Sequence, residues 1–267
     1  MSTYVVRTGL IVLLLAASGV AEAQWDRFRE AGIPRTPDGE ANLNAPPPRD
    51  SEGHVNLSGI WLITYPPDVE QRLEAEGIGP NLRYLMPAGT KIPFRPPAEA
   101  LYRQRGETFS ADRPSGRCLP HGIPDAMLVT YFKWVQTPGL SIVLFEEFTN
   151  YRQIFTDGRP FPDDPNPQWF GYSKGEWDGD TFMVRTRGFN DRSWLDDYGL
   201  PHTEQLVTTE RFERPDLGHM DLAVTIDDRG AYTAPWSFDL HFALQPDTEL
   251  IEDICENERD FRRINSQ

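Results

Sequence analysis

The chain carries none of the common catalytic signatures. It has no Gly-x-Ser-x-Gly elbow, no glycine-rich phosphate loop and no HExxH, so the reaction classes those motifs mark are excluded as starting points. Cysteine is almost missing, with Cys118 and Cys255 the only two in 267 residues. Basic charge is scarce as well: 26 Lys and Arg stand against 41 Asp and Glu, a formal net charge of −15. A chain of that sign is repelled by phosphate backbones and anionic headgroups, which removes nucleic acid from the expected partners. Past the N-terminus no apolar run is long enough for a membrane-spanning helix, and no internal repeat is visible.

What is present begins with a secretory signal. Met1 to Arg7 supplies one basic residue, Leu10 to Ala17 an apolar run, and Ala21-Glu22-Ala23 the small residues of a cleavage site. The run falls short of the roughly 20 residues that span a bilayer, so cleavage after Ala23 is expected, with no membrane anchor left. The remaining 244 residues would work in the periplasm or outside the cell. There, two cysteines and no third point to one disulfide, Cys118 to Cys255. Two buried free thiols are the alternative.

Residues 24–56 are rich in Pro, Asp, Asn and Gly and read as an extended or poorly ordered lead-in. A single β-rich domain is expected over 57–267. Residues 66–117 form a proline-rich excursion in which Glu70 to Glu76 and Glu99 to Arg105 have room for short helices only. Further along, β-rich runs and turn residues alternate: Leu128 to Val135, Leu140 to Phe148, Tyr151 to Thr156, then Trp169 to Trp177 and Thr181 to Thr186 around Asp178-Gly179. Glu204 to Phe212, Met220 to Ile226, Trp236 to Leu244 and Glu249 to Cys255 complete the set. This spacing predicts an all-β fold, an antiparallel lipocalin-like barrel or a β-sandwich with few short helices.

Period-2 alternation places Met220, Leu222, Val224 and Ile226 inward, and likewise Phe238, Leu240, Phe242 and Leu244, leaving Asp239 and His241 outside. On the preceding strand Glu204, Leu206, Thr208, Glu210 and Phe212 share a parity that His202 extends. Either both glutamates face a polar interior cavity, or the opposite face is the buried one and both are solvated. In the first case Glu204, Glu210 and His202, with Arg152 or Arg211 as counter-charge, form a candidate acid–base set. His202 and Glu204 with Glu210 or His219 also make a partial ligand set, but no metal site and no cofactor are assigned. Asp178, Asp180, Asp196, Asp197, Asp227 and Asp228 read as turn caps rather than a calcium loop. Tyr151, Trp194, Tyr232 and Trp236 are the expected ligand-lining aromatics, from a set that also holds Trp169, Tyr172 and Trp177.

Several longer stretches resemble a largely uncharacterised family of exported proteins from environmental bacteria: Tyr151-Arg-Gln-Ile-Phe-Thr-Asp-Gly-Arg-Pro160, Gly175-Glu-Trp-Asp-Gly-Asp-Thr181, Gly188-Phe-Asn-Asp191, Pro201-His-Thr-Glu204 and Thr225-Ile-Asp-Asp228. The resemblance runs from about Leu57 to Asn257 and includes both cysteine contexts, which implies the disulfide. It implies no mechanism. Leu57-Ser-Gly-Ile-Trp61 is in addition similar to the opening strand of lipocalin-like barrels. Three functional expectations follow: an exported acid–base enzyme of lyase, isomerase or hydratase type, a non-catalytic barrel that binds a small ligand, or a structural protein with a filled interior.

Overall fold

The computed structural model describes residues 29–76, 81–86 and 89–255. The expected signal segment, 1–23, lies outside the described residues. Nine strands close into one barrel in chain order: β1 (Gly59–Ile63), β2 (Phe132–Thr137), β3 (Leu140–Phe145), β4 (Tyr151–Phe155), β5 (Tyr172–Asp178), β6 (Thr181–Arg187), β7 (Val207–Glu213), β8 (His219–Asp227) and β9 (Trp236–Leu244). The fold is all-β, and it is a barrel rather than a sandwich. The described residues also carry four short helices, α1 (Pro67–Glu76), α2 (Leu82–Leu85), α3 (Pro96–Glu107) and α4 (Ala126–Val129), all between β1 and β2.

Nine is an odd number, and an up-and-down barrel of odd count brings its first and last strands together in parallel. This chain avoids that with one internal parallel step. Ile154 pairs with Ser173 and Phe155 with Lys174 in parallel, so β1 closes antiparallel on β9. A parallel step cannot be made by a tight turn. Residues 156–171 therefore return along the barrel wall before β5 begins.

The registers sort the connections into two ends. Trp61 and Phe145 both lie opposite Phe132, and Thr186 opposite Thr208. The β1–β2 excursion, the β3–β4 connection and the β6–β7 loop thus share one end. At the other end are the hairpin turns at Pro138-Gly139 and Gly179-Asp180 and the lead-in. Though without regular elements, the described part of the lead-in is packed: Ala45 and Val55 are buried. Arg35 donates to both oxygens of Asp247 at 2.6 and 2.5 Å.

Alternation on β8 and β9 is as expected, with Met220, Leu222, Val224, Ile226, Phe238, Leu240, Phe242 and Leu244 all buried and Asp239 and His241 exposed. Trp134 packs edge-on against Phe182 and Phe212 inside the barrel, and the inward side chains of the strands join one buried apolar cluster that fills the interior.

Three expectations need correction. Leu128 and Val129 belong to α4, and the strand begins only at Phe132. Glu249 to Cys255 is not a strand. β9 already pairs with β8 on one side and β1 on the other, so the closed barrel has no edge for a tenth strand. The third concerns Glu204: β7 starts at Val207, and the parity argument does not extend back to residues that lie outside the strand.

Candidate functional site

β4 and β7 send Arg152 and Glu210 into the barrel. Arg152 Nη1 donates to Glu210 Oε1 at 2.8 Å and Nη2 to Oε2 at 2.5 Å, a two-pronged pairing. Its remaining donors reach the Ser173 hydroxyl at 2.9 Å and the Thr186 hydroxyl at 2.7 Å. All four residues are buried, Glu210 completely. Each guanidinium nitrogen and both carboxylate oxygens have a partner, and the pair is sealed from water.

The other two members of the expected acid–base set do not bond to this pair. Glu204 is exposed in a turn before β7. His202 is buried in the β6–β7 loop, with Nε2 2.8 Å from the Ser193 hydroxyl and Nδ1 3.1 Å from the Thr203 carbonyl. Of the expected aromatics, Tyr151 is exposed on the outer wall. Trp194 is buried under the Arg105 guanidinium, 4.1 Å from its ring. Tyr232 donates its hydroxyl to the Pro201 carbonyl and packs edge-on against Trp236. None of the four lines the lateral groove at the parallel seam or the loop pocket at the opposite end of the barrel.

A lateral groove of about 1240 Å³ opens in the barrel wall. Its origin is the parallel seam. After Phe155 the chain leaves the wall, while β5 runs on to Asp178, so Gly175, Glu176 and Trp177 have no β4 partner beside them. Asp50, Glu52 and His54 of the lead-in overhang one side, where the His54 imidazole stacks on Trp177 at 4.9 Å. On the opposite side Lys174 and Arg185 face each other directly across β5 and β6. Neither forms an ion pair with a described residue, and Lys174 Nζ lies 5.2 Å from the centre of the Phe161 ring.

A second site lies at the other end of the barrel, where three loops meet. His121 comes from the segment before α4, Asp125 from the position that precedes α4, Glu147 from the 3₁₀ turn after β3, and Asp197 from the β6–β7 loop. His121 Nδ1 is 2.7 Å from Asp125 Oδ2 and 3.8 Å from Asp197 Oδ1, while Nε2 is 3.2 Å from Glu147 Oε2. His121 and Asp125 are buried, and Asp197 and Glu147 line a pocket of about 320 Å³ with Arg113, Ser115 and Phe148. Burial alone would discharge the imidazole, but Asp125 above all, then Glu147 and Asp197, reverse this and push it up to about 11. Burial, reinforced by the Asp125 charge, pushes Asp197 up to about 7. Three of the four residues escaped the sequence reading because the group is assembled from loops far apart in the chain. The one local signal was His121 and Asp125 four positions apart around Gly122 and Pro124.

Two of the remaining aspartates cap turns: Asp228 accepts from the Thr203 and Gly230 amides, and Asp196 from those of Leu82, Gly199 and Leu200. Asp180 instead pairs with Arg49. In comparisons with known proteins, no family model, no curated protein and no solved structure matches this chain.

Proposed function

We propose that the protein is an exported barrel, periplasmic or secreted, that binds a small organic anion in its lateral groove. The observation that carries this is the Lys174–Arg185 pair. Like charges directly opposite each other on neighbouring strands are destabilising, and this pair persists without a carboxylate partner in a chain of net charge −15. An anionic group lying between them relieves that repulsion. Phe161 and Trp177 supply apolar surface for the rest of the ligand. A filled barrel interior supports the groove as the ligand's place. The acid–base expectation has no seat at Glu210, whose carboxylate is committed to Arg152, or at Glu204, which lies in solvent. Export is supported by the signal-like N-terminus and by the Cys118–Cys255 disulfide. Among the described residues no helix is long and apolar enough to cross a membrane.

The test is a thermal-shift screen of aromatic and aliphatic carboxylates, sulfonates and phosphate esters against the wild-type protein and the Lys174→Glu/Arg185→Glu variant. Ligands that stabilise the wild type, lose at least ten-fold in affinity in the variant and weaken with added salt support the reading. Hits that bind both proteins equally, or no hits at all, remove it.

A further inference from the structure

The loop cluster at the far end of the barrel has the arrangement of a metal site. We propose that His121 Nδ1, Asp125 and Asp197 bind one divalent first-row transition cation, with Glu147 holding the other face of the imidazole.

One ligand atom from each of the three residues lies within 4.8 Å of the others. Ligands about 2.0–2.2 Å from an ion stand roughly 3–4 Å apart, so the spacing closes around a cation with only small side-chain movements. The two sides of the imidazole differ in the way a metal histidine requires. Nδ1 faces the two aspartates, and Nε2 faces Glu147 at 3.2 Å. A ligating histidine commonly directs its second nitrogen at a carboxylate, which orients the ring and raises its basicity.

A second observation points to a ligand independently of that arrangement. Asp125 is 3 % exposed, and its Oδ1 is buried without a hydrogen-bond partner, although the residue sits where a helix cap would be expected to use it. A buried carboxylate oxygen left this way is costly in a folded chain unless something coordinates it. Two carboxylates and a neutral imidazole balance a divalent charge, and the cation takes the Nδ1 lone pair that a proton otherwise holds. One imidazole with two carboxylates suits Zn²⁺, Mn²⁺ or Fe²⁺ better than Ca²⁺. Asp197 and Glu147 open onto the pocket with Arg113 and Ser115, which leaves the cation a side accessible from solvent.

The experiment uses the disulfide-intact mature chain, stripped with EDTA and dialysed against Zn²⁺, with bound metal counted by atomic emission and affinity measured by competition with a chelating dye. Co²⁺ substitution gives the visible spectrum as a second readout. One equivalent is expected in the wild type, lost in Asp197→Asn and in Asp125→Asn, and weakened about 10–100-fold in Glu147→Gln. His54→Ala controls for Asp50, Glu52 and His54, the other described group with suitable spacing, and should keep the equivalent. Should Asp125→Asn fail to fold, Asp197→Asn, at the pocket rim, decides alone. Unchanged stoichiometry in Asp197→Asn, or no binding by the wild type, overturns the assignment.

Discussion

Arg152 and Glu210 meet across the interior of the barrel from β4 and β7, strands that are not neighbours in the sheet, and their two-pronged contact is completely shielded from solvent. Taking two charges out of water costs much of what their attraction returns, so the pair adds little net stability compared with apolar residues of similar volume. Removing one partner is different, because it strands the other. Glu210→Gln should therefore cost about 3–5 kcal/mol in urea unfolding. Replacing both residues by Met should recover most of that loss. A Glu210→Gln protein as stable as the wild type would show that Arg152 finds water or another partner.

The same pair shows how far the sequence could be read. Alternation on β7 groups Glu210 with Leu206 and Phe212 but leaves open whether that face is inward, and offers Arg152 or Arg211 as counter-charge; the closed barrel selects the inward face and Arg152. Parity does not reach Glu204: three residues before Val207 the chain is a turn, and a period of two has no meaning there. Glu249 to Cys255 has strand-like composition, but edge availability is a property of the closed sheet and not of the segment. The parallel β4–β5 step, and so the groove, depends on strand count and pairing, which no local pattern encodes. The His121 cluster was hidden most completely, since its members meet only after three connections have been brought to one end.

His202 gives a pH dependence. Because Nδ1 faces a carbonyl oxygen, it carries the ring proton, and Nε2 accepts from the Ser193 hydroxyl. Burial holds its pKa below the ordinary 6.5; the Thr203 carbonyl, Asp228 and Asp191 oppose this, and Arg105 adds to it. The unfolded chain therefore takes up a proton near 6.5 that the native state refuses. The stability contributed is complete above that pH and is lost as pH falls from there toward the depressed native value, by at most about 1.4 kcal/mol per pH unit. His202→Gln should lower stability at pH 7.5 yet flatten the slope between pH 7 and 5. Parallel slopes in wild type and variant would assign the acid sensitivity elsewhere.

The Cys118–Cys255 disulfide ties the segment after β9 to the excursion that covers one end of the barrel. A sequence separation of 137 gives a chain-entropy stabilisation of about 4–5 kcal/mol. The double variant Cys118→Ser/Cys255→Ser should lose stability of that order in denaturant titrations. Asp247 stays held by Arg35, Arg29 and the Glu30 amide, but beyond it the ties left are sparser: Lys133 to Glu249, the Ile251 amide to Glu146 and the Thr149 hydroxyl to the Asp253 carbonyl. Limited proteolysis after reduction should accordingly cut first between 248 and 255 and leave the barrel intact. Cleavage in the strands before that segment would mean the disulfide supports the barrel itself.

Gly175 sits in β5 without a positive φ, so its need for glycine is a matter of space. An added Cβ would run into Phe182 Cζ and lie 3.0 Å from Ile154 Cγ2, where Gly175 lines the groove. Neither neighbour has free volume to retreat into, since both are buried. Gly175→Ala should cost about 1–3 kcal/mol by overpacking, and much less in a Phe182→Leu background, where the clashing ring is gone. Phe182 also packs on Trp177 at 4.8 Å, so moving its ring must disturb the groove floor. The double-mutant cycle should thus show coupling of at least 1 kcal/mol, about the size expected for residues in contact, together with a shift in tryptophan emission in Gly175→Ala. Additive costs in the two backgrounds would place the strain of Gly175→Ala in the backbone and not against Phe182.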